Sequence, residues 1–235
     1  MTYRTTFHKM LKWSAGAFGL ATATYAGCVA RAWTAYGHPS APHADDADSM
    51  LDRFIPVYDV AERHHVHVAA PAHITFAAAC EADPNSSAII RGIFRSREKI
   101  LGSEADETVR PRGLLALTTS MGWGVLAEVP GREIVVGAVT QPWKANVVFR
   151  TVAPDEFAAF AEPDYVKIVW TLRADAIGED ASVFRTETRA VATDASARRT
   201  FRRYWSVFSP GIVVIRWMML RPLKIEAERR ARAAE

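Results

Sequence analysis

The chain lacks the short motifs that identify common enzyme classes. Its 235 residues contain no nucleophile elbow, P-loop, dinucleotide glycine motif or zinc-protease helix. No acid–base pair stands out, so the sequence supplies no catalytic residue and no cofactor. Catalysis is not excluded, because a shaped cavity with a few polar groups can promote some reactions. The sequence therefore favours a non-enzymatic role without settling the point.

Cysteine is scarce, and the histidines do not form a complete set of metal ligands. The two cysteines, Cys28 and Cys80, lie in apolar helical contexts whose spacing suits neither a disulfide framework nor a metal site. His64, His65 and His67 form a small cluster in which His65 and His67 share one strand face. A metal site needs three or four converging ligands. We therefore expect no metal site, and a solvent-exposed strand face instead.

A large excess of one sign of charge is lacking, since 29 Lys and Arg residues face 26 Asp and Glu residues and the formal net charge is only +3. The basic residues are dispersed, with small concentrations at Arg198–Arg203 and Arg229–Arg232. A nucleic-acid-binding protein would show a basic stripe interleaved with exposed aromatic residues. Here the aromatic residues occupy positions that pattern as buried, so we expect no nucleic-acid partner.

An uncharged run near the amino terminus is the longest in the chain. It covers Trp13–Ala30, follows several basic residues and ends at Arg31. Roughly 20 apolar residues cross a bilayer core, and Trp13 and Trp33 could sit in its two interfaces. Residues 1–36 are therefore predicted to be a membrane anchor or signal segment. The excess of basic residues before the run predicts a main domain outside the cytoplasm.

A cleaved or lipidated amino terminus is the alternative. The stretch Tyr25-Ala26-Gly27-Cys28 resembles a bacterial lipoprotein signal but has Tyr25 where an aliphatic residue is expected. The protein would then be secreted, or lipidated at Cys28, after cleavage. Residues 37–49, rich in Pro, Ala and Asp, are predicted to be a flexible linker. Residues 50–235 then form the main domain.

The order of secondary-structure patterns defines that domain. Pro71 and a capping Ser86 or Ser87 introduce two short helices after the first strand, and an aromatic-rich helix closes the chain. Its apolar residues recur at helical spacing and include Phe201, Ile212, Ile215 and Met219, while Pro210 should kink it. Strands are predicted at Val57–Ala69, Trp123–Glu128, Glu133–Gln141, Asn146–Val152, Tyr165–Asp175 and Ser182–Thr193.

The last two predicted strands alternate cleanly between apolar and polar residues. Phe184, Thr186 and Thr188 are expected to point inward, with Glu187 pointing outward between Arg185 and Arg189. Such alternation is typical of an antiparallel sheet with one covered face. The outward residues should form an exposed ion-pair ladder of little energetic weight.

This layout resembles the helix-grip superfamily, also called Bet v 1/START-like, SRPBCC, or the polyketide cyclase and lipid-transport group. The strings GWGVLAEVPGREIVVGAVTQPW, PDYVKIVWTLRA, FRTETRAVATD and RRYWSVFSPGIVVIR resemble a bacterial branch of uncharacterised members. The resemblance covers about residues 57–230. It implies an α+β fold in which about seven antiparallel strands curve around the carboxy-terminal helix, with a ligand cavity between them. No catalytic residue can be assigned from this resemblance.

The resemblance and the uncharged amino-terminal run together predict a membrane-tethered domain that binds a hydrophobic small molecule or lipid. An enzyme of polyketide-cyclase or aromatase type is the alternative, and a structural or interaction module with a filled core is the second. Every inward position assigned from the pattern is apolar or Thr, whereas an enzyme should show inward ionisable residues. The residues expected to line the cavity are Trp143, Trp170, Thr186, Thr188, Tyr204, Trp205 and Phe208.

Overall fold

The computed structural model describes residues 2–103 and 111–234. Its helices are α1 (Thr2–Ala35), α2 (Ser49–Asp52), α3 (Ala72–Glu81), α4 (Ala88–Leu101), α5 (Leu114–Ser120), α6 (Pro154–Phe157) and α7 (Ala195–Ala234). Its strands are β1 (Val60–Val68), β2 (Gly124–Val129), β3 (Glu133–Thr140), β4 (Phe149–Arg150), β5 (Val166–Ala176) and β6 (Ser182–Ala192). Short 3-10 helices occupy Ala44–Asp46 and Pro84–Ser86.

The strands form one antiparallel sheet in the order β1-β6-β5-β3-β2, with β4 paired to β3. The α+β class, the two short helices after β1 and the long final helix are therefore confirmed. The expected count of seven strands is wrong for the described residues, which contain six. That count came from the resemblance, whereas the sequence patterns themselves located six strands. The segment between β4 and β5 contains the short helix α6, which begins at Pro154.

Local signals explain several of the element ends. The β2–β3 hairpin turns at Gly131, whose φ of 73° lies in the left-handed region that glycine tolerates. The Ser87 hydroxyl accepts a hydrogen bond from the Ile90 amide and caps α4, which ends at Gly102 with a φ of 69°. Pro210 lies inside the closing helix, because α7 is 40 residues long and continues past it.

Strand register decides which side chains face α7. Antiparallel partners point to the same side of the sheet, and Val66, His64 and Glu62 of β1 pair with Phe184, Thr186 and Thr188 of β6. On this side, here called the inner face, Phe184 packs in a cluster with Leu223 and Ala227 of α7. The inner face therefore carries the main core.

The opposite, outer face of the sheet is covered as well. Residues 44–58, here called the outer-face segment, bring Leu51, Phe54 and Ile55 into a buried cluster with Val135 and Val169. Glu187 and Arg189, expected to be exposed, are only 4% and 1% accessible. The prediction of a single covered face is wrong, because strand alternation does not reveal a distant segment that covers the polar side.

Ion pairs hold the outer-face segment against the sheet. Its acidic residues Asp46, Asp48 and Asp52 pair with arginines of β5 and β6, namely Arg185, Arg173 and Arg189 respectively. Arg173 also donates to the carbonyl oxygens of Ala47 and Asp45 at 3.0 and 3.1 Å. Asp46 and Asp48 belong to the stretch predicted as a linker, and both are bound to the sheet by these contacts.

The amino-terminal helix α1 lies along α7. The Tyr25 hydroxyl donates to the Val207 carbonyl, and the Arg202 guanidinium both donates to the Trp33 carbonyl at 2.9 Å and lies 4.2 Å from its ring centroid. Within the described residues, no helix combines the length and the hydropathy that crossing a membrane requires. The expected membrane helix is therefore not found, because the run is built mainly of Ala, Gly, Ser and Thr.

Candidate functional site

A cavity of about 240 Å³ lies between the inner face and α7. Helices α3, α4 and α5 close its sides, since each contributes to the wall. The lining residues are predominantly apolar: Ala79, Ala82, Pro84, Phe94, Leu114, Leu117, Met121, Trp170, Leu172, Phe184, Ile212, Ile215, Met219, Leu220 and Leu223, together with Thr118, Thr186 and Arg216. An apolar wall with a few polar groups is typical of small-molecule sites, although this volume is below their usual range of about 300–1,000 Å³.

Arg216 is the one charged side chain among the described residues that line the cavity. Helix α7 carries it one residue after Ile215 and four after Ile212, so it follows the apolar stripe that faces the sheet. Its Nη1 atom donates to the Thr186 hydroxyl at 3.1 Å. Burial lowers the pKa of Arg216 to about 10, against the opposing effect of the Glu62 charge, so the guanidinium stays protonated at neutral pH.

Two ionisable residues of β1 face the same side as Thr186. Glu62 pairs with Thr188 in the ladder and His64 pairs with Thr186. Burial raises the pKa of Glu62, which the charges of Arg216, Arg31 and Arg63 oppose. Burial, with the charges of Arg216 and His65, lowers the pKa of His64. The expectation that inward positions are only apolar or Thr is therefore wrong.

Two buried polar atoms in this region lack a hydrogen-bond partner among the described residues. They are Nε2 of His64 and Oγ1 of Thr188. A buried polar atom without a partner loses its hydration and is disfavoured. Neither residue lines the cavity itself, but His64 is the ladder partner of Thr186, which does.

The structure divides the predicted cavity residues into two groups. Trp170 and Thr186 line the cavity. Tyr204, Trp205 and Trp143 pack in a separate cluster around Phe201. Phe208 is half-buried and lies 4.8 Å from Tyr204 between ring centroids. Thr188 lies on the inner face but does not belong to the lining.

A cavity was expected along the whole Phe201–Met219 stripe of α7, but the α7 residues named as its lining, Tyr204, Trp205 and Phe208, do not line it. Ile212, Ile215 and Met219 line it, and all three belong to the apolar spacing of the closing helix. The first half of the same stripe packs in solid core. A lone basic residue inside the stripe, Arg216, was the available signal. Helix α5 gave no comparable signal, because Leu114–Ser120 is a short apolar helix after a polar loop.

The histidine cluster is split between the two sides of β1. His65 and His67 are exposed, whereas His64 is half-buried on the inner face. In the part of the chain that the structure describes, no three His, Cys, Asp or Glu side chains lie close enough together to hold a metal ion. Cys28 and Cys80 are both free, and burial raises the pKa of the Cys80 thiol to about 11.

Comparison with known proteins gives only weak similarities. No family model and no curated protein matches the chain. A protein from Deinococcus radiodurans is 12% identical, with 61% of this chain and 93% of that one covered and a TM-score of 0.24. A protein from Chromobacterium violaceum is 14% identical, with 66% and 95% covered and a TM-score of 0.25. The Zhui aromatase/cyclase from a Streptomyces species is 15% identical, with 74% and 96% covered and a TM-score of 0.24. Scores this low support no inference about activity, so function is inferred below from the cavity.

Proposed function

We propose that this protein binds a hydrophobic small molecule or lipid in the cavity between its inner face and α7. The observation that carries the proposal is the cavity itself, with a volume of about 240 Å³ and walls that are apolar except for Thr118, Thr186 and Arg216. Apolar cavities of about 150 Å³ already accept benzene. A filled core, as in the alternative of a structural or interaction module, would leave no such space.

Uptake of an apolar probe tests the proposal. Native mass spectrometry of the purified full chain should show co-purified apolar molecules, and a fluorescent fatty acid should bind in titration. Met219→Trp should weaken that binding, because Met219 lines the cavity. Val214→Trp, on the same helix but 42% exposed, is the matched control and should leave binding within about twofold.

One combination of results would contradict the proposal. If the wild-type chain takes up no apolar probe and Met219→Trp unfolds much earlier than Val214→Trp, the space is part of a core and not a binding site. Overpacking a core typically costs about 1–3 kcal/mol. Filling an open cavity would instead leave the stability near that of the wild type.

An enzyme of polyketide-cyclase or aromatase type remains a second candidate on one observation. Glu62 and His64 face the inner side of β1 beside the cavity wall, where they could exchange protons with a bound molecule. Such an enzyme would convert its ligand, whereas a carrier releases it unchanged. Mass analysis of bound molecules before and after incubation, with His64→Gln as the comparison, separates the two.

The location of the protein stays a prediction. A reporter fused after Glu235 should be active outside the cytoplasm if the charge bias around Trp13–Ala30 sets the orientation. Intact mass of the purified chain reports whether the amino terminus is cleaved or lipidated at Cys28.

A further inference from the structure

Arg216 provides the cavity with a single cationic end whose donors are mostly unused. A guanidinium carries five N–H donors. In the described part of the chain, the hydrogen bond that Arg216 makes is the one from Nη1 to the Thr186 hydroxyl. Of the other two polar lining residues, Thr186 accepts this one hydrogen bond, and the Thr118 hydroxyl donates to the Leu114 carbonyl of its own helix at 2.7 Å.

No carboxylate pairs with this guanidinium among the described residues. Glu62 acts on it by charge but forms no ion pair with it, and Glu62 is also influenced by Arg31 and Arg63. His64, the other inner-face ionisable group nearby, adds no negative charge. Arg216 is half-buried beside apolar walls, and the part of a cation that is removed from water is disfavoured unless an anion or hydrogen-bond acceptors compensate it. The cavity therefore has a place for a negative charge that the described residues do not fill.

The neighbouring hydroxyl suits the same role. Because the Thr186 oxygen accepts from Arg216, its own proton is available to donate to a ligand oxygen. Charge-assisted hydrogen bonds from an arginine to a carboxylate are often bidentate and are about twice as strong as neutral ones. Arg216 and Thr186 together could thus bind one carboxylate at the end of an apolar molecule.

We propose that the ligand of the cavity is an apolar molecule with one anionic head, which Arg216 and Thr186 bind while the apolar walls hold the rest. This inference rests on the proposed function and specifies its ligand class. A cavity of about 240 Å³ exceeds the roughly 150 Å³ that accept benzene, which suits a medium acyl chain or a fused-ring acid.

Two matched pairs of probes test the proposal on the full chain by calorimetric titration. Octanoate is compared with 1-octanol, and 2-naphthoate with 2-naphthylmethanol, so that each pair differs in the anionic head alone. The wild type should bind at least one acid about tenfold or more tightly than its alcohol. Whichever pair shows this difference identifies the apolar part as a chain or a ring.

Arg216→Gln should weaken the acid about tenfold or more and change the alcohol by less than about twofold. Arg216→Lys keeps the charge but loses the bidentate geometry. Its affinity for the acid should therefore lie between those of the wild type and Arg216→Gln. Equal losses for acid and alcohol in Arg216→Gln would instead show a purely structural role and overturn the proposal.

Glu62→Gln provides a test that a folding defect cannot imitate. Removing this negative charge near Arg216 should strengthen acid binding several-fold and leave the alcohol unaffected. Unchanged or weaker acid binding in Glu62→Gln would contradict the proposal. The failure of the proposed function looks different, because then neither acid nor alcohol binds to the wild type.

Discussion

Arg189 Nε donates a 2.8 Å hydrogen bond to Oε1 of Glu187, and both side chains are almost completely buried. Arg63 contacts the same carboxylate oxygen at 2.8 Å from the edge strand. The Arg189 guanidinium also lies 4.8 Å from the centroid of the Tyr58 ring, which belongs to the outer-face segment. A pattern that resembled a surface ladder is thus a buried charge network between the sheet and a distant part of the chain.

Glu187→Ala should be strongly destabilising, because it leaves the buried guanidinium of Arg189 without this carboxylate. Removing one partner of a buried ion pair typically costs about 3–5 kcal/mol. The matched control is Glu226→Ala near the end of α7, where exposed pairs with Arg229 and Arg230 contribute at most about 1 kcal/mol. Equal shifts of the two variants in urea unfolding would show that Glu187 is solvated after all.

Removing the first part of the outer-face segment should lower stability. A chain that begins at Met50 lacks Asp48, whose carboxylate lies 3.5 Å from Nη1 of the buried Arg173. It should be less stable than a chain that begins at Gly37 by about 3 kcal/mol or more. Asp48→Asn in the full chain removes the charge alone and should reproduce part of the loss. Coincident unfolding curves would instead favour a domain boundary near Met50.

Trp205 should be a major stabilising residue of α7. It is 7% exposed and packs in the cluster with Tyr36 and Phe201. Trp205→Ala should cost about 3–5 kcal/mol, as truncation of a buried aromatic residue usually does. Trp217→Ala on the same helix removes a side chain that is 69% exposed and should change stability by less than about 0.5 kcal/mol. Thermal or urea unfolding of both variants checks the orientation of the helix.

Glu133 should make stability depend on pH. Burial, followed by the charge and hydrogen bond of Asp48, raises its pKa to about 7, despite the opposing charge of Arg173. The folded state therefore binds this proton more tightly than the unfolded state, and the stabilisation is complete below about pH 4.5. It is lost as the pH rises to about 7, because ionised Glu133 is then buried.

Glu133→Gln should remove that decline, since glutamine cannot ionise. The variant should be more stable than the wild type at pH 8 by roughly 1–3 kcal/mol, and the difference should shrink toward pH 5. Urea unfolding at several pH values measures it. A wild-type stability that rises between pH 5 and pH 7 relative to Glu133→Gln would contradict the assigned direction.

Much of the fold could be predicted from local patterns. Alternation located the strands, and the Pro130-Gly131 pair between two of them is typical of the hairpin turn that joins β2 and β3. The covered outer face could not be predicted, because Asp46 and Asp48 look solvated in an Ala- and Pro-rich stretch. Their partners, Arg185 and Arg173, lie more than one hundred positions away, and only folding brings them together.

Part of the candidate site could be predicted from the sequence. Alternation along the predicted strand Val57–Ala69 is enough to place Glu62 and His64 on the same face as the apolar Val60 and Val66. The first half of the α7 stripe was expected to line a cavity because it is aromatic. The large rings of that half pack together as core, whereas Ile215 and Arg216 of the second half line the cavity. The difference between the two halves depends on how fully side chains occupy the space between the sheet and α7, and the spacing of residues in the sequence does not report that.

The pairing of β1 with β6 has a consequence for synthesis. Even the ladder partners that are nearest in sequence, Val68 and Ser182, are more than one hundred positions apart. Contacts between such distant positions slow folding, because a long loop must close before they form. The outer-face segment and β1 leave the ribosome before β3, β5 and β6, so we expect Leu51 and Ile55 to stay exposed until Val135 and Val169, which pack against them, have been synthesised. Substitutions there should reduce the yield of folded protein in cells more than the equilibrium stability alone indicates.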